Sequence, residues 1–283
     1  MTVVVPCAGD LVHLEALADS LAPQIDGDVE VVLVDNHVSD AGSGRLAAAA
    51  AALGPARIVA EEQPGIGPAR NAGAAAARGG VLAFVDADDV TSREWVAGLT
   101  ATVSPGVVAA GRLEYDRLNP AWLVATRGRQ PRDGPYVCEG LFPVAPGGNL
   151  AITRADFDDV GGFAADDRSL EDFDLGLRVW DAGMTVRLAD ARATLHYRLR
   201  DSPPVLYRQG ARYGAARAAM WAELHRRGLV RRWARPGWRS WLVLLLSLPG
   251  AVVSRQRRCM AAWVLGNRVG RVTASIRHRV LYV

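Results

Sequence analysis

Short β-branched runs alternate with longer alanine-rich stretches through the first part of the chain, the pattern of a parallel sheet covered by helices. Val3 to Val5 predicts a strand, and a helix is expected from about Leu11 to Leu21. Val29 to Val34, apolar apart from Glu30, predicts a second strand that stops at Asp35. Arg45 to Leu53 reads as helix, Arg57 to Ala60 as a short strand, Pro68 to Ala77 as helix, and Val81 to Val85 as another buried strand. Strands that are apolar nearly throughout are buried on both faces, and ligands of such sheets sit beyond the strands' carboxyl ends. Polar residues just after the strands are therefore the first candidates for chemistry.

From Val107 to Pro146 the periodicity weakens, and only short strands and loops are expected. Order returns at Gly147. A helix is expected from Ser169, whose hydroxyl can cap it, with Asp172 three residues on and Phe173, Leu177 and Trp180 along the helix; Gly183 ends it. Val186 to Leu188 and Thr194 to Tyr197 read as short strands. After Pro203-Pro204 the composition turns to Arg, Trp and Leu, and no internal repeat is visible.

Charge changes the picture. The 33 basic residues of this 283-residue chain are all arginines. Without a lysine, P-loop, protein-kinase and Schiff-base mechanisms are excluded. Residues 1–199 hold 16 Arg against 28 Asp and Glu, a net −12, whereas residues 200–283 hold 17 Arg against Asp201 and Glu223 alone, a net +15. An acidic body thus precedes a basic tail suited to an anionic partner, a phospholipid surface or a nucleic acid. Cys7, Cys138 and Cys259 are widely spaced, without a C-x-x-C pattern, and are expected to be reduced and structural. The chain enters an apolar run directly, so no export signal is expected.

Four segments carry candidate chemistry. In V-L-A-F-V-D-A-D-D, residues 81–89, a strand delivers Asp86, Asp88 and Asp89 to the sheet edge, where hard oxygen ligands suit Mg²⁺ or Mn²⁺ and, through it, a diphosphate. The alternative is an acidic turn followed by a capping box of Thr91 and Glu94. In P-G-I-G-P-A-R-N-A-G, residues 64–73, Gly65 and Gly67 allow close approach to a ligand, Arg70 can pair with an anion or a base edge, and Asn71 can lock the loop. A plain helix start or a surface pair remains open there. Asp35, leaving the second strand, can accept from a pyrimidine imide N–H or merely cap a turn. In S-L-E-D-F-D-L-G-L-R, residues 169–178, Asp172 near a helix N-terminus is expected to stay ionised and can serve as a general base, or simply cap the helix.

Taken in order, V-V-V-P, V-D-N-H-V-S-D, G-I-G-P-A-R-N-A-G, V-D-A-D-D, G-G-N-L-A-I-T-R with V-G-G-F, and L-E-D-F-D-L-G-L-R resemble the family 2 glycosyltransferases of GT-A fold over roughly residues 2–198. The resemblance implies an α/β, Rossmann-like, mostly parallel sheet flanked by helices. It implies a catalytic domain over 1–199, with residues 1–106 as the nucleotide-sugar half and 107–199 as the acceptor half, followed by a basic helical extension over 200–283. By position, Pro6, Asp35 and Arg70 would line the nucleotide pocket, with Asp86 on the ribose side. Asp88 would hold Mn²⁺ or Mg²⁺ on the donor diphosphate, Gly148 and Asn149 would lie beside the sugar, and Asp172 would be the catalytic base of an inverting transfer. His196 falls where some members place a further metal or phosphate contact; a packed core histidine is the alternative. Two departures lie at the base-binding end: Asn36, His37 and Val38 interrupt the usual acidic pair, and Cys7, Ala8 and Gly9 follow Pro6 in place of an aromatic or asparagine. A UDP-sugar is the expected donor.

Trp241 to Val253 is apolar apart from Ser247 but is broken by Pro249-Gly250, too short for a membrane span of about 20 residues. Arginines flank it on both sides, and five of the eight tryptophans follow residue 220. That combination predicts peripheral or monotopic attachment to an anionic membrane surface on its cytoplasmic face, suited to a lipid-linked acceptor. The alternatives are a retaining transferase of the same fold, a tail that binds nucleic acid, and a catalytically inactive sugar-binding relative. The apolar segment speaks against nucleic acid, and none is expected as a partner.

Overall fold

A computed structural model describes residues 1–54, 56–126, 129–131, 133–165, 170–233, 241–242, 244–246, 250 and 254–282. Ser169, Arg235, Arg239 and much of the apolar run 241–253, singled out above, lie outside the described residues. The chain divides into two compact units: Met1–Leu118, Arg129–Asp167 and Glu171–Arg198 form the first, and Asn119–Gly128, Arg168–Leu170 and Leu199–Val283 form the second.

The first unit is built on a seven-stranded sheet. Its strands are β1 (Thr2–Gly9), β2 (Glu30–Val38), β3 (Arg57–Ala60), β4 (Val81–Val85), β6 (Val107–Ala110), β10 (Asn149–Thr153) and β11 (Thr185–Leu188), in the order β11-β6-β10-β4-β1-β2-β3. β1 pairs in parallel with both β2 and β4, so the chain winds outward from β1 in opposite directions. Such a switch point opens a crevice at the strands' carboxyl ends. β10 is antiparallel to β4 and β6, the one departure from a parallel sheet. A three-stranded sheet, β5 (Val90–Thr91), β12 (Thr194–His196) and β7 (Arg112–Glu114) in the order β5-β12-β7, adjoins the end of β4 through the 86–89 turn. β8 (Tyr136–Cys138) and β9 (Phe142–Val144) form a small hairpin.

Side-chain alternation along the strands builds two cores. On one face Val3, Val5, Val31, Leu33 and Val85 pack with Leu14, Leu17 and Leu21 of α1 (Leu14–Leu21), Leu46 of α2 (Asp40–Ala52), and Trp95 and Leu99 of α4 (Trp95–Thr100). On the other, Val4, Val32, Val34, Leu82 and Phe84 meet Ala69 and Ala74 of α3 (Ile66–Ala76), Phe157 of α6 (Arg154–Asp159), and Leu175 and Val179 of α7 (Glu171–Asp181). Each buried Val, Leu or Phe side chain among them contributes about 1.5–3 kcal/mol. Small residues set the spacing: a Cβ on Gly73 would run into Val4 and Val34, so α3 lies directly on the sheet. All three cysteines are free and buried.

α2 starts at Asp40 rather than Arg45, because the Ser39 hydroxyl accepts from Gly42 N–H at 3.2 Å and caps it. β2 runs on past Asp35 to Val38. The Thr91–Glu94 capping box does not form. Thr91 belongs to β5, and its hydroxyl bonds Ser20 and Gln24, while the helix after it lacks a side-chain cap.

The second unit contains α5 (Ala121–Val124), α8 (Pro203–Arg226) and α9 (Arg255–His278). α8 and α9 lie side by side and run in the same direction, Tyr207 meeting Gly266 and Ala211 meeting Gly270. Added Cβ atoms on Gly210, Gly214, Gly266 and Gly270 would each strike backbone of the opposite helix. Glycine inside a helix costs roughly 0.5–1 kcal/mol relative to alanine, and here the close backbone approach offsets that cost. Among the described residues, no helix is long and apolar enough to cross a membrane.

Candidate active site

The carboxyl ends of β1, β2 and β4 carry the residues expected there. Pro6 is buried in β1 opposite Val34, and Cys7 next to it is opposite Asp35. Burial, with the Asp35 charge beside it, pushes the Cys7 thiol up to about 12, so it stays neutral. Asp35 is half-buried, and its Oδ1 accepts from Val38 N–H at 3.0 Å within the last residues of β2. Asn36 is buried and organises the loop that precedes α3. Its Nδ2 donates to the Glu61 and Gln63 carbonyls at 2.9 and 2.7 Å, and its Oδ1 accepts from Gly65 N–H at 3.0 Å. In the sequence Asn36 stood out only as a departure from the family pattern; the structure makes it the staple of the loop.

At the end of β4, Asp86 is held by Arg70 of α3. Arg70 Nη2 donates to Asp86 Oδ1 at 2.8 Å and Nη1 donates to Glu171 Oε1 at 2.9 Å. Arg70 is 1% exposed, and its guanidinium stacks over Phe163 at 5.1 Å. A buried arginine is tolerated only when its charge is matched, and two carboxylates match this one. Arg70, expected to line the nucleotide pocket, thus has each Nη bonded to a carboxylate of the protein. Glu171, which carried no role in the sequence reading, is the second partner. Gly147 and Gly148 wrap this pair, because a Cβ on Gly147 would collide with the Arg70 guanidinium and one on Gly148 with the Asp86 carboxylate. Asn71 locks the same region, its side chain bonding both the N–H and the carbonyl of Phe163 at 2.9 and 2.8 Å.

Asp172 sits in the first turn of α7, beside Glu171, with Oδ1 accepting from Phe173 N–H at 2.9 Å. Burial, and next the Glu171 charge, push its carboxyl up to about 7, against the opposing pull of Arg70 and two backbone N–H groups. Desolvation here opposes the helix N-terminus, which favours the ionised form. A carboxylate that titrates near neutrality is matched to proton abstraction at that pH.

Asn149 lies at the start of β10. It is fully buried, its Oδ1 accepting from Trp95 Nε1 at 2.7 Å and its Nδ2 donating to the Arg112 carbonyl at 2.9 Å. Those two bonds tie β10, where Asn149 was expected beside the sugar, to α4 and β7.

Asp88 is half-buried in the 86–89 turn, and Asp89 is fully buried behind it. Burial, with Asp88 and Asp86 adjacent, raises the Asp89 carboxyl well above the usual range. His196 lies across from Val90 in β12, and its Nδ1 meets Glu114 Oε2 at 2.7 Å. The structure therefore gathers Arg70, Asp86, Glu171 and Asp172 with the Gly147–Gly148 cradle, and sets Asp88, Asp89 and His196 at the edge of the neighbouring sheet.

Residues 2–161 match the family described as glycosyl transferase family 2. The chain belongs to that family. Over 101 residues, 35% of this family 2 chain, it is 34% identical to the uncharacterized glycosyltransferase EpsJ of Bacillus subtilis (strain 168), a match that spans 29% of that protein's length. Among solved structures it is similar to the mannosyltransferase PcManGT of Pyrobaculum calidifontis in complex with GDP-Man and Mn²⁺, with TM-score 0.64 and 18% identity over 96% of this chain and 86% of the other. It also resembles S. aureus TarS 1-349 in complex with UDP-GlcNAc, with TM-score 0.54 and 17% identity over 100% of this chain and 93% of the other. These two likenesses establish the α/β fold of this glycosyl transferase family 2 chain.

The acidic turn of this family 2 chain fits a divalent cation of hard character. Asp88 supplies a carboxylate, and His196, its Nδ1 held by Glu114, has the carboxylate–imidazole arrangement that orients a ligating ring. Among the described residues no group of three His, Cys, Asp or Glu forms a complete cage. Mg²⁺ or Mn²⁺ here would take its remaining ligands from donor phosphates and water.

Proposed function

We propose that the protein transfers a sugar, with inversion, from a nucleoside-diphosphate sugar, a UDP-sugar in the first instance, to an acceptor hydroxyl. The observation that carries this reading is the ladder Asp86–Arg70–Glu171 with Asp172 beside it. It supports a donor bound at the end of β4 and a base of matched proton affinity on α7. Asp172 accepts the acceptor hydroxyl's proton as that oxygen attacks the anomeric carbon, and the bond from that carbon to the diphosphate oxygen breaks on the opposite face. Arg70 keeps Asp86 and Glu171 in register, and Gly147 and Gly148 pack against the Arg70 guanidinium and the Asp86 carboxylate. Pro6 and Asp35 would bound the base end. A Mn²⁺ or Mg²⁺ held by Asp88, with His196, would neutralise charge on the departing nucleoside diphosphate. The complexes of similar structures with GDP-Man and UDP-GlcNAc support this donor class.

The experiment is product analysis on Asp172→Asn. Loss of a carboxylate base should lower kcat by roughly 10²–10⁴ with donor affinity retained. Nuclear magnetic resonance of the wild-type product should show the anomeric configuration opposite to the donor's, and retention would reject inversion.

The same reading assigns residues 1–199 to catalysis and the Arg-rich remainder to peripheral attachment at the cytoplasmic face of an anionic membrane, with a lipid-linked acceptor. Trp233, Trp241, Leu245 and Leu246 are exposed within that basic region, which supports it. The full-length protein should co-sediment with phosphatidylglycerol vesicles more than with phosphatidylcholine vesicles, and less so after Leu245→Ser with Leu246→Ser. Equal sedimentation in all cases would remove the membrane assignment.

A further inference from the structure

Arg198 is fastened to the 86–89 turn twice. Its backbone N–H donates to Asp89 Oδ1 at 2.7 Å, and its side-chain Nε donates to the Asp88 carbonyl at 2.9 Å. Register explains the placement: β12 sets Leu195 opposite Thr91 and His196 opposite Val90, and the same antiparallel count carried two residues further sets Arg198 opposite Asp88. In extended chain, residues two apart share a face, so Arg198 follows His196 on the side of the acidic turn. Asp89 is fully buried and acts as the anchor for this segment.

With Nε committed to the Asp88 carbonyl, the two Nη groups project beyond it. Among the described residues they have no hydrogen bond or ion pair, and they are not sealed from solvent. Arg70 is the opposite case, with both Nη groups spent on Asp86 and Glu171. The cation offered to an anion at this turn is therefore Arg198. A guanidinium fork held at one nitrogen and open at the other two is suited to phosphate oxygens, where charge-assisted bonds are strong.

We propose that Arg198 binds the diphosphate of the nucleoside-diphosphate donor and offsets the negative charge left on it as the bond to the anomeric carbon breaks. This assignment rests on the donor reading above and adds a residue to it. The test is calorimetric titration of the full-length protein with UDP, GDP, UMP and GMP in Mn²⁺, for wild type, Arg198→Gln and Arg198→Lys. Wild type should prefer one diphosphate over its monophosphate. Arg198→Gln should weaken that diphosphate by about tenfold, the value of one charge-assisted bond, and leave the monophosphate little changed. Arg198→Lys, which keeps the charge but loses the Nε bond to Asp88, should recover most of the affinity. If the lysine variant loses as much as glutamine, if monophosphate and diphosphate weaken alike, or if glutamine changes nothing, Arg198 is a strut of the turn and the proposal fails while the donor site stands. If wild type binds none of the four nucleotides, the donor reading falls and this assignment with it.

Discussion

Arg70 Nη1 lies 2.9 Å from Glu171 Oε1, joining two residues 101 positions apart in the chain and linking α3 to α7, the helix that carries Asp172. Through its other Nη the same guanidinium holds Asp86, so a single buried cation sets the geometry of two carboxylates and acts on Asp172 through its charge. Removing one member of a buried ion pair costs about 3–5 kcal/mol, since the others remain buried and unmatched. Arg70→Met should lower the denaturant midpoint by an amount in that range and raise the Asp172 pKa further, because Arg70 is the cation that opposes its rise. An unchanged midpoint would show that the ladder does not support the fold.

Asp172 gives a pH dependence of defined sign. Its carboxyl is at about 7 in the folded protein, against roughly 3.9 in an unfolded chain. The folded state therefore holds the proton more tightly, and the stability this confers is fully present below about 3.9 and is lost as pH rises toward 7. Denaturation of wild type and Asp172→Asn across this range should show the wild type losing stability relative to the variant as pH rises. Activity should run the other way, with kcat/KM rising on an acidic limb near pH 7 as the base ionises. A limb near pH 4 would contradict the buried, Glu171-repelled carboxyl.

Asn149→Ala separates a structural asparagine from a ligand-binding one. It would leave Trp95 Nε1 buried without an acceptor, at a cost of about 1–3 kcal/mol. Thermal denaturation should register that loss, while donor affinity measured below the midpoint should be unaltered. A selective loss of donor affinity would return Asn149 to the pocket.

Gly148→Ala makes the converse comparison. The new methyl would collide with the Asp86 carboxylate, displacing it from Arg70 and from a bound donor. Overpacking of this kind costs about 1–3 kcal/mol, and nucleotide affinity should fall together with the midpoint. Retention of full affinity would place the donor away from Asp86.

How much of this was legible in the sequence follows from where the information lies. Strands β1, β2 and β4 were readable because burial on both faces forces near-continuous runs such as Val3–Val5 and Val81–Val85. The start of α2 was not, because Gly42 and Gly44 break the helical pattern there; Gly42 is required by the Gly9 carbonyl, against which a Cβ would collide. The packing of α8 on α9 was missed for a related reason. Its seam is made by Gly210, Gly214, Gly266 and Gly270 at four-residue spacing, and a search for large apolar periodicity passes over glycine. At the site, local sequence supplied the residue types but not their partners. Nothing near Arg70 announces Glu171, nothing near Asn149 announces Trp95, and the rise of Asp172 to about 7 comes from burial that no local pattern records.

Donor binding is tested most directly by thermal denaturation of the protein with UDP-sugars and GDP-mannose, with and without Mn²⁺, for wild type and Asp88→Ala. A ligand that binds the folded state alone raises the midpoint with concentration. A metal-assisted donor site should give a Mn²⁺-dependent, saturable rise with one nucleotide sugar for wild type, lost in Asp88→Ala. No rise with any of them, or an equal rise in the variant, would contradict a metal-assisted donor site at the end of β4.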